Sequence, residues 1–462
     1  MRQIDLQRMA DDAPFTRFHW TVLIWCALAI VFDGYDLAVV GIALPSIMKD
    51  MGVDATQAGF MASSALFGMM FGNMIFGNLS DRFGKRMVMC LCIAIFSLFT
   101  AAAGLMKDPI SFSAMRFIAG LGIGGVMPNV IAQMTDYSPL RMRSTLITLT
   151  FSGYSVGGML AALLGKGLIE TYGWQTVFLA AAAPVVLLPL IWWQMPESLG
   201  YLLKKGRIDD LKRNLQRMSP SYVPRADDQF VLSASPSAVS AVKKSAFSGL
   251  FADGRAFSTV MFWVTCFMAL FMVYALNSWL TKLMAQAGYS LGSALTFVLV
   301  LNIGATLGAV FAGWLSDRMH IKLVTFLMFV MAAISITLMG NKLPTTALFV
   351  IVAIAGACTI GTQTMTCAYC SQFYPVTIRA TGVGMMLGVG RAGAILAPIV
   401  IGTIVGMNLS LQANFMAIAI PAVVAAVTIL LIQHDRSDLM RNRAAKQSEG
   451  ASPALTPVGA AS

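Results

Sequence analysis

Windows near residues 20–44, 58–79, 87–106, 110–135, 144–165, 175–195, 257–281, 291–315, 323–341, 345–371, 380–404 and 412–432 are each apolar over a length that suits a lipid bilayer. About 20 residues at roughly 1.5 Å rise cross the hydrocarbon core. Inside that core every backbone N–H and C=O must be paired within the protein, which leaves helices and closed barrels as the only spanning structures. Runs this long select helices. The predicted fold class is therefore all-α integral membrane, with twelve transmembrane helices in two sets of six. A composition of 57% hydrophobic and 11% charged residues agrees, since soluble domains carry about 25% charge.

Six spans precede, and six follow, a polar segment from Pro196 to Ala256 that holds ten Lys and Arg. The expected organisation is an N-terminal segment 1–19, a six-helix bundle 20–195, a linker 196–256 with one short amphipathic helix, a second bundle 257–432 and a disordered tail 433–462. With both termini placed in the cytoplasm, 25 of the 32 Lys and Arg fall on the cytoplasmic side and five in outer loops, with Arg116 and Arg391 inside helices. This matches the rule that cytoplasmic loops are rich in Lys and Arg. Topology thus accounts for the net charge of +11, and nucleic-acid binding is not implied. The first apolar run is of full spanning length and continues into more membrane, so no cleaved signal peptide is expected.

The two halves are related in sequence. Adding 236 to Gly68, Gly72, Gly77, Leu79, Ser80, Asp81 and Arg82 gives Gly304, Gly308, Gly313, Leu315, Ser316, Asp317 and Arg318. Pro139, Arg143, Thr145 and Gly157 become Pro375, Arg379, Thr381 and Gly393 by the same shift. A duplicated six-helix unit explains this, and parallel repeats facing each other across a central cavity are a transporter architecture.

Four charges sit inside the spans. Asp33 and Asp36 share one face of the first helix, and each costs about 2.5–3.5 kcal/mol at the centre of a membrane helix unless it is paired, wetted or protonated. Two carboxylates this close in a low-dielectric medium do not both ionise cheaply, so one is expected to carry a proton. Arg116 and Arg391 are permanently charged, and a guanidinium fork matches a carboxylate in two bonds. The repeat mates of Asp33, Asp36 and Arg391 are Ala269, Met272 and Ser155, so these charges are not scaffold common to both copies. Our hypothesis assigns Arg391 to a substrate carboxylate, and Asp33, Asp36 and Arg116 to a proton. The alternative is that each arginine forms a permanent ion pair with Asp33 or Asp36.

Several motifs carry a resemblance. The stretch from Gly77 to Arg86, GNLSDRFGKR, resembles the loop signature of the major facilitator superfamily, and residues 313–322 are its weaker second copy. Asp33-Gly-Tyr-Asp36, the glycine-rich run from Arg116 to Gly125 and the run from Gly388 to Gly393 resemble the aromatic acid:proton symporters, and within that family the opening stretch from Phe18 to Asp36 looks most like the benzoate type. Thr281 stands where that family often has proline, and Met319-His320 replaces the Phe83-Gly84 of the first loop copy. The resemblance implies a major facilitator fold, multi-pass in a bacterial inner membrane. It implies proton-coupled import of an aromatic carboxylate by a monomer in contact with membrane lipid. The alternatives are a carrier of another small organic anion, such as muconate, phenoxyacetate or a dicarboxylate, or else an integral-membrane enzyme or a sensor. No His or Cys cluster or nucleophile motif supports an enzyme, and the linker and tail are too short for a signalling domain.

Tyr154, Asn277, Trp279, Gln363 and Asn129 are candidate cavity linings, although a polar residue in a membrane helix often only bonds a neighbouring backbone. Asp81, Arg82, Asp317 and Arg318 are candidate gating charges at helix ends. Gly120 to Gly125 satisfies a dinucleotide-binding spacing but lies in a spanning helix, where glycines serve close packing. His19, His320 and His434 lie at membrane edges or in tails, and the seven cysteines lie in apolar runs, so neither a histidine relay, a disulfide framework nor a metal site is expected. No cofactor is expected.

Overall fold

The computed structural model describes residues 2–225, 228–231, 249–252, 254–316, 318–341, 343–374 and 376–434. A short strand β1 (Arg2–Asp5) and helix α1 (Leu6–Asp11) lead into α2 (Arg17–Met51), α3 (Ala55–Phe83), α4 (Lys85–Ala103), α5 (Pro109–Tyr137) and α6 (Arg143–Tyr172). The sixth span is broken into α7 (Gln175–Ala180) and α8 (Ala183–Gln194). Pro184 in the first turn of α8 has no N–H with which to continue α7. Next come α9 (Leu199–Lys204), α10 (Ile208–Met218) and strand β2 (Asp228–Val231). The second half consists of α11 (Ala256–Gln286), α12 (Leu291–Ser316), α13 (Ile321–Met339), α14 (Thr345–Phe373), α15 (Val376–Gly406) and α16 (Leu411–Leu431). Among the described residues, twelve spans are long and apolar enough to cross a membrane, at the places the apolar windows predict.

Local chemistry sets the helix ends. Asp54 caps α3 by accepting from Gln57 N at 2.7 Å, and Gly52, at φ 64°, ends the helix before it. Asp108 caps α5 with Pro109 at its first position, and the hydrogen bonds from Ser111 hold the Asp108 carboxyl below its usual range.

The duplication extends to individual contacts. In the first half α3 lies along α5 and α2 along α6; in the second, α12 lies along α14 and α11 along α15. Small residues permit this closeness, because between membrane helices the attraction is van der Waals contact rather than hydrophobic exclusion. A Cβ on Gly68 would meet Phe117 O at 2.1 Å, and one on Gly304 would meet Ala353 O at 2.0 Å. Gly120 faces Ala65 O as Gly356 faces Leu301 O, and Gly157 faces Val31 O as Gly393 faces Phe267 O. Each partner is displaced by the same 236 residues as its glycine. Gly120 and Gly124 seat α5 on α3, Gly122 seats it on α4, and Gly125 faces both Cys92 of α4 and Phe76 of α3, which accounts for the glycine-rich run by packing.

Contacts between the halves are concentrated at the end away from the linker. There Gly41 lies against Asn277 O and Gly59 against Pro398 O, Ser63 Oγ donates to Ile395 O at 2.7 Å, and Gly292 N donates to Glu170 Oε1 at 3.1 Å. The molecule is therefore closed at that end.

At the opposite end the linker folds onto the first half. Where one amphipathic helix was expected, the described part holds two, α9 and α10, with Leu211, Leu215 and Met218 of α10 buried. Gln133 Nε2 donates to Pro196 O at 2.6 Å, Tyr137 Oη donates to Glu197 O, and Asp136 takes both Lys85 Nζ at 2.8 Å and Ser198 Oγ at 2.7 Å. The N-terminal segment joins this layer: β1 pairs in parallel with β2, and Asp11 forms an ion pair with Arg143. His19 is buried at the start of α2, where its Nδ1 accepts from Thr16 N at 3.0 Å.

Close helix approach gives a direct test. A Cβ on Gly34 would lie 2.2 Å from Tyr154 O, whereas one on Gly167 would meet nothing within 4 Å. We expect Gly34→Ala to force α2 from α6 and destabilise the protein by about 1–3 kcal/mol, and Gly167→Ala to be neutral or stabilising, as read by thermal melting in detergent.

Candidate functional site

The four intramembrane charges separate into two unlike groups. In the first, α2 supplies Asp36, α4 supplies Thr100 and α5 supplies Arg116. Arg116 Nη1 lies 2.9 Å from both carboxylate oxygens of Asp36 and 2.8 Å from Thr100 Oγ1, and Nη2 reaches Asp36 O at 3.2 Å. Thr100 Oγ1 also donates to the Asp36 carboxylate. Asp36 and Arg116 are 0% and 1% exposed. Two buried ions repay their desolvation only with good geometry and further hydrogen bonds, and here the threonine and the helix backbone supply them. For Asp36 and Arg116 the permanent ion pair is the arrangement observed.

The second group is unsaturated. Asp33 is buried, and neither of its carboxylate oxygens has a hydrogen-bond partner among the described residues. Midway along α15, half-buried Arg391 reaches Tyr274 Oη of α11 at 3.4 Å and Met127 Sδ of α5 at 3.9 Å, both weak contacts. It forms no salt bridge among the described residues, although Asp33 lies within its electrostatic reach. A guanidinium offers five donors, so most of the capacity of Arg391 is unused. Its Met127 contact crosses from one half to the other.

The other candidate residues are dispersed. Tyr154 is half-buried on α6, and Asn277 and Gln363 are half-buried on α11 and α14. Trp279 is fully buried with its Nε1 on Pro398 O at 3.0 Å, so it fastens α11 to α15 rather than lining a cavity. Asn129 is buried, with Nδ2 on Gly125 O one turn back at 2.7 Å. Thr281 is fully buried. Arg82 and Arg318 lie over the rings of Phe83 and Trp314. Asp317 and the side chain of Asp81 lie outside the described residues, as does the tail beyond His434. Sequence reasoning missed Thr100, Tyr274 and Met127. One threonine, tyrosine or methionine in an apolar run carries no signal of its own, though Tyr274 precedes Asn277 by three positions and so shares its helix face.

The family model described as Major Facilitator Superfamily matches residues 26–362 and, in a second match, 294–460. The chain belongs to the major facilitator superfamily. Among this facilitator's curated relatives, a benzoate transport protein of Acinetobacter baylyi is 44% identical over 94% of each chain. A 4-hydroxybenzoate transporter of the same organism is 34% identical over 93% of this chain and 94% of its own length. A gallate transporter of Pseudomonas putida is 33% identical over 94% and 96%. In fold, the facilitator is similar to an inward-facing bacterial homologue of the human lysosomal transporter Spinster, with TM-score 0.70 and 19% identity over 91% of this chain and 98% of that one. It is similar also to the inward-open xylose transporter of Escherichia coli, with TM-score 0.70 and 15% identity over 90% and 96%.

Removing one member of the buried pair strands the other. Arg116→Gln is expected to destabilise by about 3–5 kcal/mol and to lower the yield of monodisperse protein. Adding Asp36→Asn to it should recover much of that loss, as read by size-exclusion profile and melting temperature.

Proposed function

We propose that this facilitator imports an aromatic carboxylate of the benzoate or hydroxybenzoate type together with a proton, by alternating access. The observation that carries the proposal is the pairing of an unpartnered buried carboxylate, Asp33, with an unsaturated guanidinium, Arg391, at the contact between the halves. The printed names of the relatives support the aromatic carboxylate. The arginine-rich linker end faces the cytoplasm of a bacterial inner membrane, with both termini on that side, so the closed end is the outer one. Both halves of one chain enclose the site, and the monomer is the working unit. Asp81, Arg82, Asp317 and Arg318 act at the cytoplasmic helix ends as a latch between the halves.

Charge balance supplies the coupling. With Asp33 ionised, the two aspartates and two arginines sum to zero within the membrane. With a proton on Asp33 and a carboxylate on Arg391 the sum is again zero. Binding of only one of the two leaves a net charge of one, and moving a charge across the membrane costs about 2.3 kcal/mol per 100 mV in addition to its desolvation. The empty and fully loaded forms therefore reorient more readily than the half-loaded ones, which is the condition for symport. Asp36 is already neutralised by Arg116, so the proton belongs to Asp33. The ring of the substrate packs beside Tyr154, Tyr274 and Met127, where aromatic and thioether contacts are favourable.

Vesicles containing the protein should accumulate labelled benzoate and lose that accumulation when a protonophore is added. Loss of the charge-assisted contacts in Arg391→Gln, about 1.5–3 kcal/mol, should raise the half-saturation concentration by about tenfold or more. Uptake by the parent protein that ignores the protonophore removes the symport assignment.

A further inference from the structure

The linker end of the first half carries a basic cavity that the transport site does not use. Leu211, Leu215 and Met218 bury one face of α10 against the first half, which leaves Arg207, Arg213 and Arg217 on its exposed side. Together with Arg86 of α4 and Trp193 of α8 they line a cavity of about 160 Å³. Two carboxylates lie in the same wall, and both are engaged. Asp210 accepts from Arg207 Nε at 2.7 Å and from Arg213 Nη2 at 3.0 Å. Glu197 Oε1 accepts from the backbone N–H groups of Arg86 at 3.2 Å and Ser198 at 2.9 Å, so it closes the start of α4. Four arginines against two acids leave the cavity a net charge of +2. Arg86 and Arg217 form no salt bridge among the described residues. Their guanidinium groups rest instead on rings, Arg86 at 4.6 Å over Trp192 and Arg217 at 5.3 Å over Phe18. Arg86 Nε is buried and has no hydrogen-bond partner among the described residues.

The surroundings of the cavity indicate where its ligand comes from. Val186, Leu190 and Trp193 recur at i, i+4 and i+7 along α8 and are all exposed, Trp193 by 79%. Met87 and Leu91 form a second exposed stripe on the neighbouring α4. Both helices belong to membrane spans, so these stripes face lipid. Trp193 belongs to the stripe and to the cavity wall alike, which makes the two continuous. Tryptophan favours the boundary between hydrocarbon and water, the depth at which lipid headgroups lie. We propose that this cavity binds the headgroup phosphate of an anionic phospholipid, in the leaflet on the linker side, which is the cytoplasmic one in the orientation proposed above. Guanidinium forks match phosphate oxygens in paired, charge-assisted hydrogen bonds, and basic pockets beside membrane helices on the cytoplasmic side suit acidic headgroups. The chemistry recognised is a phosphate; the apolar stripes of α4 and α8 commit the site to one that carries acyl chains. A headgroup held there joins α4, α8 and α10 and so fastens the linker to the first half. The site is independent of proton coupling and of the substrate.

The test titrates the full-length protein, delipidated in detergent, with phosphatidylglycerol or phosphatidylcholine and follows the first bound lipid by native mass spectrometry. The parent is expected to bind phosphatidylglycerol about tenfold or more tighter than the zwitterionic lipid. Arg213→Gln/Arg217→Gln changes two exposed side chains, so it should fold as the parent does, and it is expected to bring that preference to about threefold or less. Lys204→Gln/Lys205→Gln removes the same charge from the end of α9, outside the cavity, and is expected to keep the preference. Glycerol phosphate, which has the headgroup chemistry without the chains, should not displace the lipid when present at the same concentration. Equal binding of the two lipids by the parent overturns the proposal, as does an undiminished preference in the arginine variant. Equal loss in the lysine variant also overturns it, since attraction to the whole basic face then explains the binding. Displacement by glycerol phosphate assigns the cavity to a soluble phosphate and removes the lipid.

Discussion

The ion pair between Asp36 and Arg116 is the constraint on which the rest of the membrane core depends. It ties α2 to α5 with Thr100 of α4 as third member, and it sits where neither ion has access to water. With these two charges cancelling each other, Asp33 and Arg391 are the intramembrane charges to which the proposed proton and substrate sites fall. The proposed division of roles follows from this: the Asp36–Arg116 pair is bonded within one half, whereas Arg391 reaches across to Met127 of the other half and Asp33 has no hydrogen-bond partner among the described residues.

Comparison of the two repeats gives the same division. The helix pairings and their glycines recur at a spacing of 236 residues, down to the carbonyl each glycine faces. The charges do not. At the positions equivalent to Asp36, Thr100 and Arg116 the second half has Met272, Ile336 and Val352, all buried and apolar. Duplicated packing with unduplicated charge is what a carrier needs if two similar bundles are to rock about a site that differs on its two sides. The far end is closed by glycine contacts and a few polar bonds, which hold one state without the strong ion pairs that would make it permanent.

Most of the fold is legible in the sequence because the bilayer permits so few answers. Length and apolarity alone place the spans, and the offset from Gly68 to Gly304 discloses the duplication. The break between α7 and α8 is written in Pro184 but concealed by the unbroken apolarity around it. The two-stranded pairing of β1 with β2 joins segments more than 220 residues apart, and no local pattern predicts such a contact. At the site, the four charged residues are conspicuous because charge in hydrocarbon is costly. Their partners are not, because depth and rotation about the helix axis decide them. Trp279 shows the limit from the other side: an aromatic with a polar edge suits a cavity wall or a buried backbone contact equally well, and only its neighbour Pro398 decides.

The central claim is that Asp33, and not the paired Asp36, takes the proton that accompanies substrate. Titration of benzoate into the purified protein in buffers of different ionisation enthalpy measures the protons taken up on binding. The account predicts proton uptake by the parent, its retention in the doubly neutralised Asp36→Asn/Arg116→Gln variant, and its disappearance in Asp33→Asn with binding preserved. Undiminished proton uptake by Asp33→Asn would contradict it.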